Sequence, residues 1–355
     1  MTATISERAK KILRVLASQG TLPRTEIEKE INESRDNTIR ELKTLIEQEL
    51  VAVSGDARAT VYTATENARS IVLWDTEQYL SQEPDKRHAR FTSLEPELFK
   101  IIKGSIGNMT ESIEKAARNR RKIDDSVTAR RDLERFVIEL SWKSSKIEGN
   151  TYTLLDTERL IKEAKEAPGH AHAEAVMILN HKRAFEYIWT HQATFRTLTK
   201  TGIEEVHELL VQGLDVPVGL RENPVGITGT VYVPPASKVE IASSFHDIID
   251  TINTIDHPVE KAMACLILLP YLQAFADGNK RTSRLVANAV LLAYGYPPLS
   301  YRSVDEQAYK GALILFYEQG SLANFRELYL KQLEESAENY YFPIQGKDSS
   351  LPNPI

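Results

Sequence analysis

Hydrophobic and polar positions follow two regimes along the chain. Up to Ala64 the pattern is short and changes period. Ile5, Ala9, Ile12, Leu13 and Leu16 recur at helical spacing, and Gly20 follows where a helix should stop. A second helix fits Arg24 to Ile31, and a third runs from Ser34, a suitable N-cap, through Ile39, Leu42, Leu45 and Ile46. Leu50–Val53 and Thr60–Ala64 then alternate as strands around Ser54, Gly55 and Asp56, which predicts a small hairpin. Past a polar stretch from Gln82 to Arg90 that contains Pro84, the period becomes helical. Amphipathic runs cover Pro96–Ile106, Val127–Ser145, Leu155–Lys165, Ala173–His191, Ile203–Leu214, Val239–Asp256, Val259–Leu272 and Arg281–Ala293. The fold class expected is mainly α.

The N-terminal order of three helices and a hairpin resembles a winged helix-turn-helix module. In such a module the second helix of the pair enters the major groove, and here it would present Arg35, Asn37, Thr38, Arg40 and Lys43. Those groups suit phosphates and base edges, with Arg35, Arg40 and Lys43 the candidate DNA contacts. Glu41, Glu47 and Glu49 on the same helix offset that charge, so a protein-docking or dimerising role stands beside DNA binding. The organisation expected is a module over 1–80, a linker over 81–95, a helical domain over 96–340 and a disordered tail over 341–355, rich in Pro, Ser and Asn.

Composition narrows the functions open to the whole. A chain of 355 residues with 42% apolar content can bury a sizeable core, and a net charge of -6 argues against a general polyanion binder. Cys265 is the only cysteine, so no internal disulfide can form. No signal-peptide pattern opens the sequence, and the apolar run from Ala262 to Ala276 is too short to span a bilayer. A cytoplasmic protein without membrane contact is expected. The basic run from Arg118 to Lys122 has Glu111, Glu114, Asp124 and Asp125 around it and reads as a solvated helix face.

The most informative segment is Gln273-Ala274-Phe275-Ala276-Asp277-Gly278-Asn279-Lys280-Arg281-Thr282-Ser283-Arg284, between two apolar helices. A loop that opens a helix presents free backbone amides and a positive partial charge to an anion. Gly278 gives the permissive backbone, and Arg281 and Arg284, three apart, share a helix face from which guanidinium forks can hold phosphates. Asp277 offers a hard oxygen ligand for a magnesium ion bridging those phosphates. Together these residues describe a nucleotide-phosphate cradle.

The segment resembles the Fic family motif, His-Pro-Phe-x-Asp-Gly-Asn-Gly-Arg-x-x-Arg, with Phe275, Asp277, Gly278, Asn279, Arg281 and Arg284 matching. The resemblance implies an all-helical Fic core with a β-hairpin flap, ATP and Mg2+ as cofactors, and transfer of AMP to a protein hydroxyl. It implies that Phe275 anchors the loop, Asp277 holds magnesium, Asn279 and Arg281 bind phosphates and Arg284 contacts the terminal phosphate. Ser144-Ser145-Lys146-Ile147-Glu148-Gly149-Asn150 resembles the family's N-terminal inhibitory motif, which implies that Glu148 pairs with Arg284 and displaces that phosphate. The stretch 219–235, with a turn at Thr228-Gly229-Thr230, alternates like a hairpin and resembles the flap on which a target segment docks. His207 falls where the family often has a helix histidine and is read as structural. Winged-helix and Fic modules commonly self-associate, which makes a homo-oligomer an expectation.

Two positions depart from the family. Gln273 stands where the motif has its catalytic histidine, and an amide cannot accept the proton of an incoming hydroxyl. Losing a general base costs roughly a hundred- to ten-thousand-fold, while binding can persist. Gln273 could still orient a hydroxyl or water through its amide, and Asp277 could act as a surrogate base where it is not committed to metal. Lys280 replaces a glycine, as in the Doc branch, whose members transfer a phosphoryl group. Three readings follow. The leading one is an autoinhibited adenylyltransferase. The alternatives are an inactive nucleotide-binding regulator with a DNA-binding module and a Doc-like phosphotransferase.

Overall fold

The computed structural model describes residues 5–56, 59–65, 67–68, 72–107, 109–120 and 126–340. In chain order the elements are α1 (Glu7–Gln19), β1 (Leu22–Pro23), α2 (Arg24–Ile31), α3 (Arg35–Glu47), β2 (Val51–Ser54), β3 (Val61–Ala64) and α4 (Thr76–Ser81). There follow α5 (Glu111–Arg120), α6 (Ser126–Ile147), α7 (Leu154–Glu163), α8 (His172–Thr190), α9 (Lys200–Val211), α10 (Lys238–Asn253), α11 (Pro258–Leu272), α12 (Asn279–Ala293), α13 (Glu306–Gln319) and α14 (Ala323–Asn339). The chain is mainly helical, as its periodicity predicts. Among the described residues no helix is long and apolar enough to cross a membrane.

The chain divides into two compact units. The first comprises Met1–Thr92, Ile227–Tyr232 and Gln307–Glu327. Its N-terminal helices start where capping chemistry dictates: Ser6 accepts from the Ala9 amide and Ser34 from the Asn37 amide. Ile12, Leu13, Leu16, Ile27, Leu42, Leu45, Val51 and Ala64 close one core beneath a three-stranded antiparallel sheet of order β1-β3-β2. Val51 faces Ala64 and Ser54 faces Val61. Burying each such Leu, Ile or Val contributes roughly 1.5–3 kcal/mol. The same unit holds Glu318, a buried carboxylate on α13 that accepts from Tyr79, Arg87, Thr230 and the Val231 amide.

The second unit comprises Ser93–Gly226, Val233–Glu306 and Leu328–Ile355. At its centre α11 and α12 pack side by side, both buried along their lengths, so the segment joining them is presented by two fixed helices. Helices α8 and α9 pack together, and α9 and α10 pack against that central pair.

Several expectations need correction. No helix covers Pro96–Ile106: a 3-10 turn at Pro96–Phe99 gives way to further turns, because Gly104 and Gly107 adopt φ of +81° and +52°. Thr38 is not presented on α3 but buried, donating to the Ser34 carbonyl, and Asn37 is tied to Glu33. The 219–235 stretch turns at Thr228-Gly229 as expected, but its arms form no paired strands. Pro224, Pro234 and Pro235 have no N–H to give a ladder. Helices α13 and α14 lie beyond the runs that the periodicity predicts. The basic run 118–122 and the tail 341–355 fall outside the described side chains and residues.

Candidate active site

The loop between α11 and α12 is built by its own side chains. Residue 273 ends α11 in the left-handed region, φ +53°, a conformation that costs a non-glycine residue about 1 kcal/mol. Its side chain holds the bend: Gln273 Nε2 donates to the Pro270 carbonyl at 2.7 Å, and Oε1 accepts from Asn279 Nδ2 at 3.0 Å. Asn279 also donates to the Phe275 carbonyl at 2.8 Å and accepts from the Phe275 amide at 2.9 Å. Both amides are therefore engaged inside the loop. One N–H of Gln273 and its side-chain carbonyl oxygen are thereby committed to the loop. Asn279 is placed as a loop clamp, and only its backbone amide faces the open first turn of α12.

Phe275 lies buried against His207, rings stacked with centroids 3.9 Å apart. His207 Nε2 donates to the Asp277 carbonyl at 3.0 Å, which leaves Nδ1 as the bare nitrogen. Burial lowers the imidazole pKa to about 4, ahead of the opposing pull of that carbonyl. It is a neutral prop behind the loop. Gly278, φ +81°, caps α12 in a conformation that favours glycine, and a Cβ there would press on Val211 at 3.2 Å.

The cations come next. The first intrahelical bond of α12 runs from the Thr282 amide to the Gly278 carbonyl, so the amides of 279–281 precede it and stay available to an anion. Arg281, with a side chain 2% exposed, gives Nη2 to Asp277 at 2.9 Å, while its Nη1 is buried without a partner. Arg284 is fully buried. Its Nε donates to Ser144 Oγ at 2.7 Å, Nη2 to the Ser144 carbonyl at 2.8 Å and Nη1 to Glu148 at 2.9 Å. Ser144 Oγ is also hydrogen-bonded with His181 Nε2 at 2.6 Å, and burial together with Arg284 and Arg281 keeps that imidazole neutral.

Glu148 stands just beyond the end of α6, where Gly149 turns the chain at φ +99°. Burial pushes its carboxyl up, but Arg284, Lys280 and Arg281 outweigh burial and hold it below the usual glutamate range. Lys280 Nζ lies 3.6 Å from its second oxygen. The structure thus brings Ser144, Glu148, Lys280 and Arg284 together from segments far apart in sequence. Asp277 is the open carboxylate of the loop, its side chain 66% exposed. A magnesium ion is commonly held by one or two protein carboxylates plus phosphate oxygens, and Asp277 with a bound triphosphate supplies that donor set. Among the described residues no cluster of three or more His, Cys, Asp or Glu forms a separate metal site.

One group escaped the sequence reading. Arg221, 3% exposed, donates from Nε to the Gln273 carbonyl at 2.6 Å, from Nη1 to the Asn223 carbonyl at 2.9 Å and from Nη2 to the Pro235 carbonyl. Its amide donates to the Ala274 carbonyl at 3.0 Å. The only sequence signal was an arginine among apolar and turn residues. On α3, Arg35, Arg40 and Lys43 are exposed, with Lys43 3.9 Å from Glu47.

Residues 197–291 match the model of the Fic/DOC family, and a Fic/DOC domain is present there. "Protein adenylyltransferase Fic" of Nematostella vectensis is 28% identical over 188 residues, 52% of this chain and 44% of that protein. The protein of the same name in Drosophila willistoni is 28% identical over 209 residues, 58% of this chain and 42% of that one. The chain thus spans less than half the length of these curated relatives. Among solved structures, Fic-1 from C. elegans aligns with a TM-score of 0.56 at 24% identity, over 66% of this chain and 70% of that one. A Fic domain-containing signaling protein from Bacteroides thetaiotaomicron aligns with a TM-score of 0.55 at 23% identity, over 64% and 94%. These structural likenesses carry the fold.

Proposed function

We propose that the 273–284 loop binds ATP and that the protein moves AMP from it to a hydroxyl of a protein target, restrained by Glu148. The observation that carries this reading is the buried, partnerless Nη1 of Arg281 beside an Arg284 whose charge is met by Glu148. A guanidinium donor left unsatisfied in a closed site calls for an anion, and the open amides of 279–281 supply further donors to the same ligand. The relatives named as protein adenylyltransferases support AMP as the transferred group.

In the transfer, the target hydroxyl oxygen bonds to the α-phosphorus, the bond to the bridging oxygen breaks, and pyrophosphate leaves. Arg281 and the first-turn amides hold phosphate oxygens, and Arg284, once released by Glu148, takes the terminal phosphate. Asp277 would hold magnesium, which neutralises phosphate charge and orients the chain of phosphates. With Gln273 in the histidine position and Asp277 committed to the metal, water accepts the hydroxyl proton, and turnover is slow. Glu148 blocks this arrangement by occupying Arg284 as a competing anion.

A second reading, a nucleotide-sensing regulator without transfer, is favoured by one observation: both ends of the Gln273 amide are tied into the loop. In that reading residues 1–80 form a winged helix-turn-helix that contacts DNA through Arg35, Arg40 and Lys43, and ATP biases it. The Doc-like alternative rests on Lys280. Cytoplasmic location and self-association accompany all three, the first in keeping with the single, buried Cys265. Incubating the Glu148→Gly variant with ATP labelled at the α- or γ-phosphate separates them. The adenylyltransferase reading expects ATP to bind about tenfold or more tightly than to the parent and the α-label to appear on protein. Tight binding with neither label transferred leaves the regulator; γ-label alone selects phosphoryl transfer.

A further inference from the structure

We propose that Arg221 is a positioning residue that sets the spacing between the flap arms and the active-site loop, and so between the docked target and the nucleotide. This rests on the reading of 219–235 as a target-docking flap. Its four donors reach four backbone carbonyls from three segments: Gln273 and Ala274 in the loop, Asn223 in one flap arm and Pro235 in the other. Strand pairing would normally fix two such arms to each other, and no strand is formed among the described residues of 219–235. A planar guanidinium with five donors in a rigid fork can substitute for that ladder, which the three prolines forbid.

The bond to Gln273 has a second consequence. Carbonyls at the end of a helix lack partners within the helix, and Gln273 caps α11. Arg221 satisfies the Gln273 carbonyl and its own amide satisfies the next, so the end of α11 and the start of the flap are one hydrogen-bonded corner. The two sides of that corner depend on it unequally. The loop retains the Asn279 and Gln273 amide bonds when Arg221 is changed. Near the ends of the flap arms lies the exposed Lys238–Glu222 pair, a loose link beside the buried fork. Removing the fork therefore loosens the flap and spares the loop. Arg221 acts through the backbone it holds.

The test uses the full chain and Arg221→Lys, which keeps charge but replaces a fork by a point donor able to serve one or two carbonyls. The backbone amide of residue 221, which opens the flap and donates to the Ala274 carbonyl, is expected to exchange with deuterium roughly tenfold or more faster, while exchange in α11 and α12 stays at the parent rate. ATP affinity is expected to change by less than about threefold. In the Glu148→Gly background, α-label transfer at saturating ATP is expected to fall about tenfold, as misplacement of an acceptor demands. Unchanged flap exchange overturns the proposal, and so does a uniform loss in which α11, α12, ATP affinity and the flap weaken together. If the Glu148→Gly protein transfers no label, the adenylyltransferase reading fails, and flap exchange still decides the role of Arg221. Should Arg221→Lys fail to fold, the Arg221 Nε–H resonance of the parent decides: slow exchange with water supports the proposal and fast exchange overturns it.

Discussion

Arg281 and Arg284 at the start of α12 and Arg35, Arg40 and Lys43 on α3 are similar side chains at similar helical spacings, put to opposite uses. The α12 pair is buried, and each guanidinium meets a carboxylate, Asp277 or Glu148, at 2.9 Å. The α3 group is exposed, and the ion pair of Lys43 with Glu47 spans 3.9 Å with side chains 77% and 64% exposed. Burial makes the difference. A cation shut away from water must be matched by an anion, and Glu148 supplies it at Arg284. A cation in water needs none, and its neighbours reveal little of its role. Under the function proposed above, Glu148 and a triphosphate would compete for that one requirement.

The largest effect that sharpens this contrast comes from Arg284→Gln. Removing the guanidinium leaves Glu148 with only the more distant Lys280 for its charge and strips Ser144 of two bonds, and breaking a buried pair in this way costs about 3–5 kcal/mol. Chemical denaturation of the ATP-free protein reads that loss. Adding Glu148→Gln to the same chain should recover part of it, since the stranded charge is gone. A single variant as stable as the parent would break the contrast, because the α12 cations would then be no more committed than those on α3.

Acid is the next probe, because the loop leans on buried histidines and residues 1–80 contain none. The folded-state pKa of His207 is about 4 and its unfolded value about 6.5. Between those values the unfolded chain holds a proton that the folded chain does not. Stability is therefore complete above pH 6.5 and falls as pH drops through 6.5 towards 4, by on the order of 3 kcal/mol for His207. His181, lowered for the same reason, steepens the fall. Thermal midpoints between pH 7 and 4.5 measure it, and His207→Gln should flatten the curve. An unchanged slope in that variant would remove His207 as the prop of the loop.

What the sequence disclosed follows the same division. Helix boundaries at α2, α3 and α6–α12 were legible because apolar spacing and caps such as Ser34 are local signals. The Glu148–Arg284 pair was legible only through resemblance to a motif, since nothing in either segment alone says that residues 136 apart will meet. Gln273 reads as a free amide in sequence because its two partners, Pro270 and Asn279, become neighbours only once the left-handed bend forms. Arg221 is silent for a similar reason: its acceptors are backbone carbonyls, which carry no residue signature. Proline chemistry explains why the flap alternates in sequence yet makes no ladder.

The smallest effect belongs to α3, and it tests the other half of the contrast. Changing Arg35, Arg40 and Lys43 together to glutamine should move stability by no more than about 0.5 kcal/mol, because exposed charges with loose partners contribute little. The informative measurement is binding of a DNA duplex across a salt series. If these residues hold phosphates, the parent's affinity falls with salt, and the variant's slope of log affinity against log salt shrinks by about 0.9 for each phosphate left unneutralised. A slope identical in parent and variant removes these residues from any nucleic-acid interface. Attention would then pass to Ile39 and Ile46, which lie exposed on the same helix at i and i+7 and so share a face. An exposed apolar pair of that spacing suits a protein surface better than a phosphate backbone, and the same titration therefore chooses between the two uses of α3.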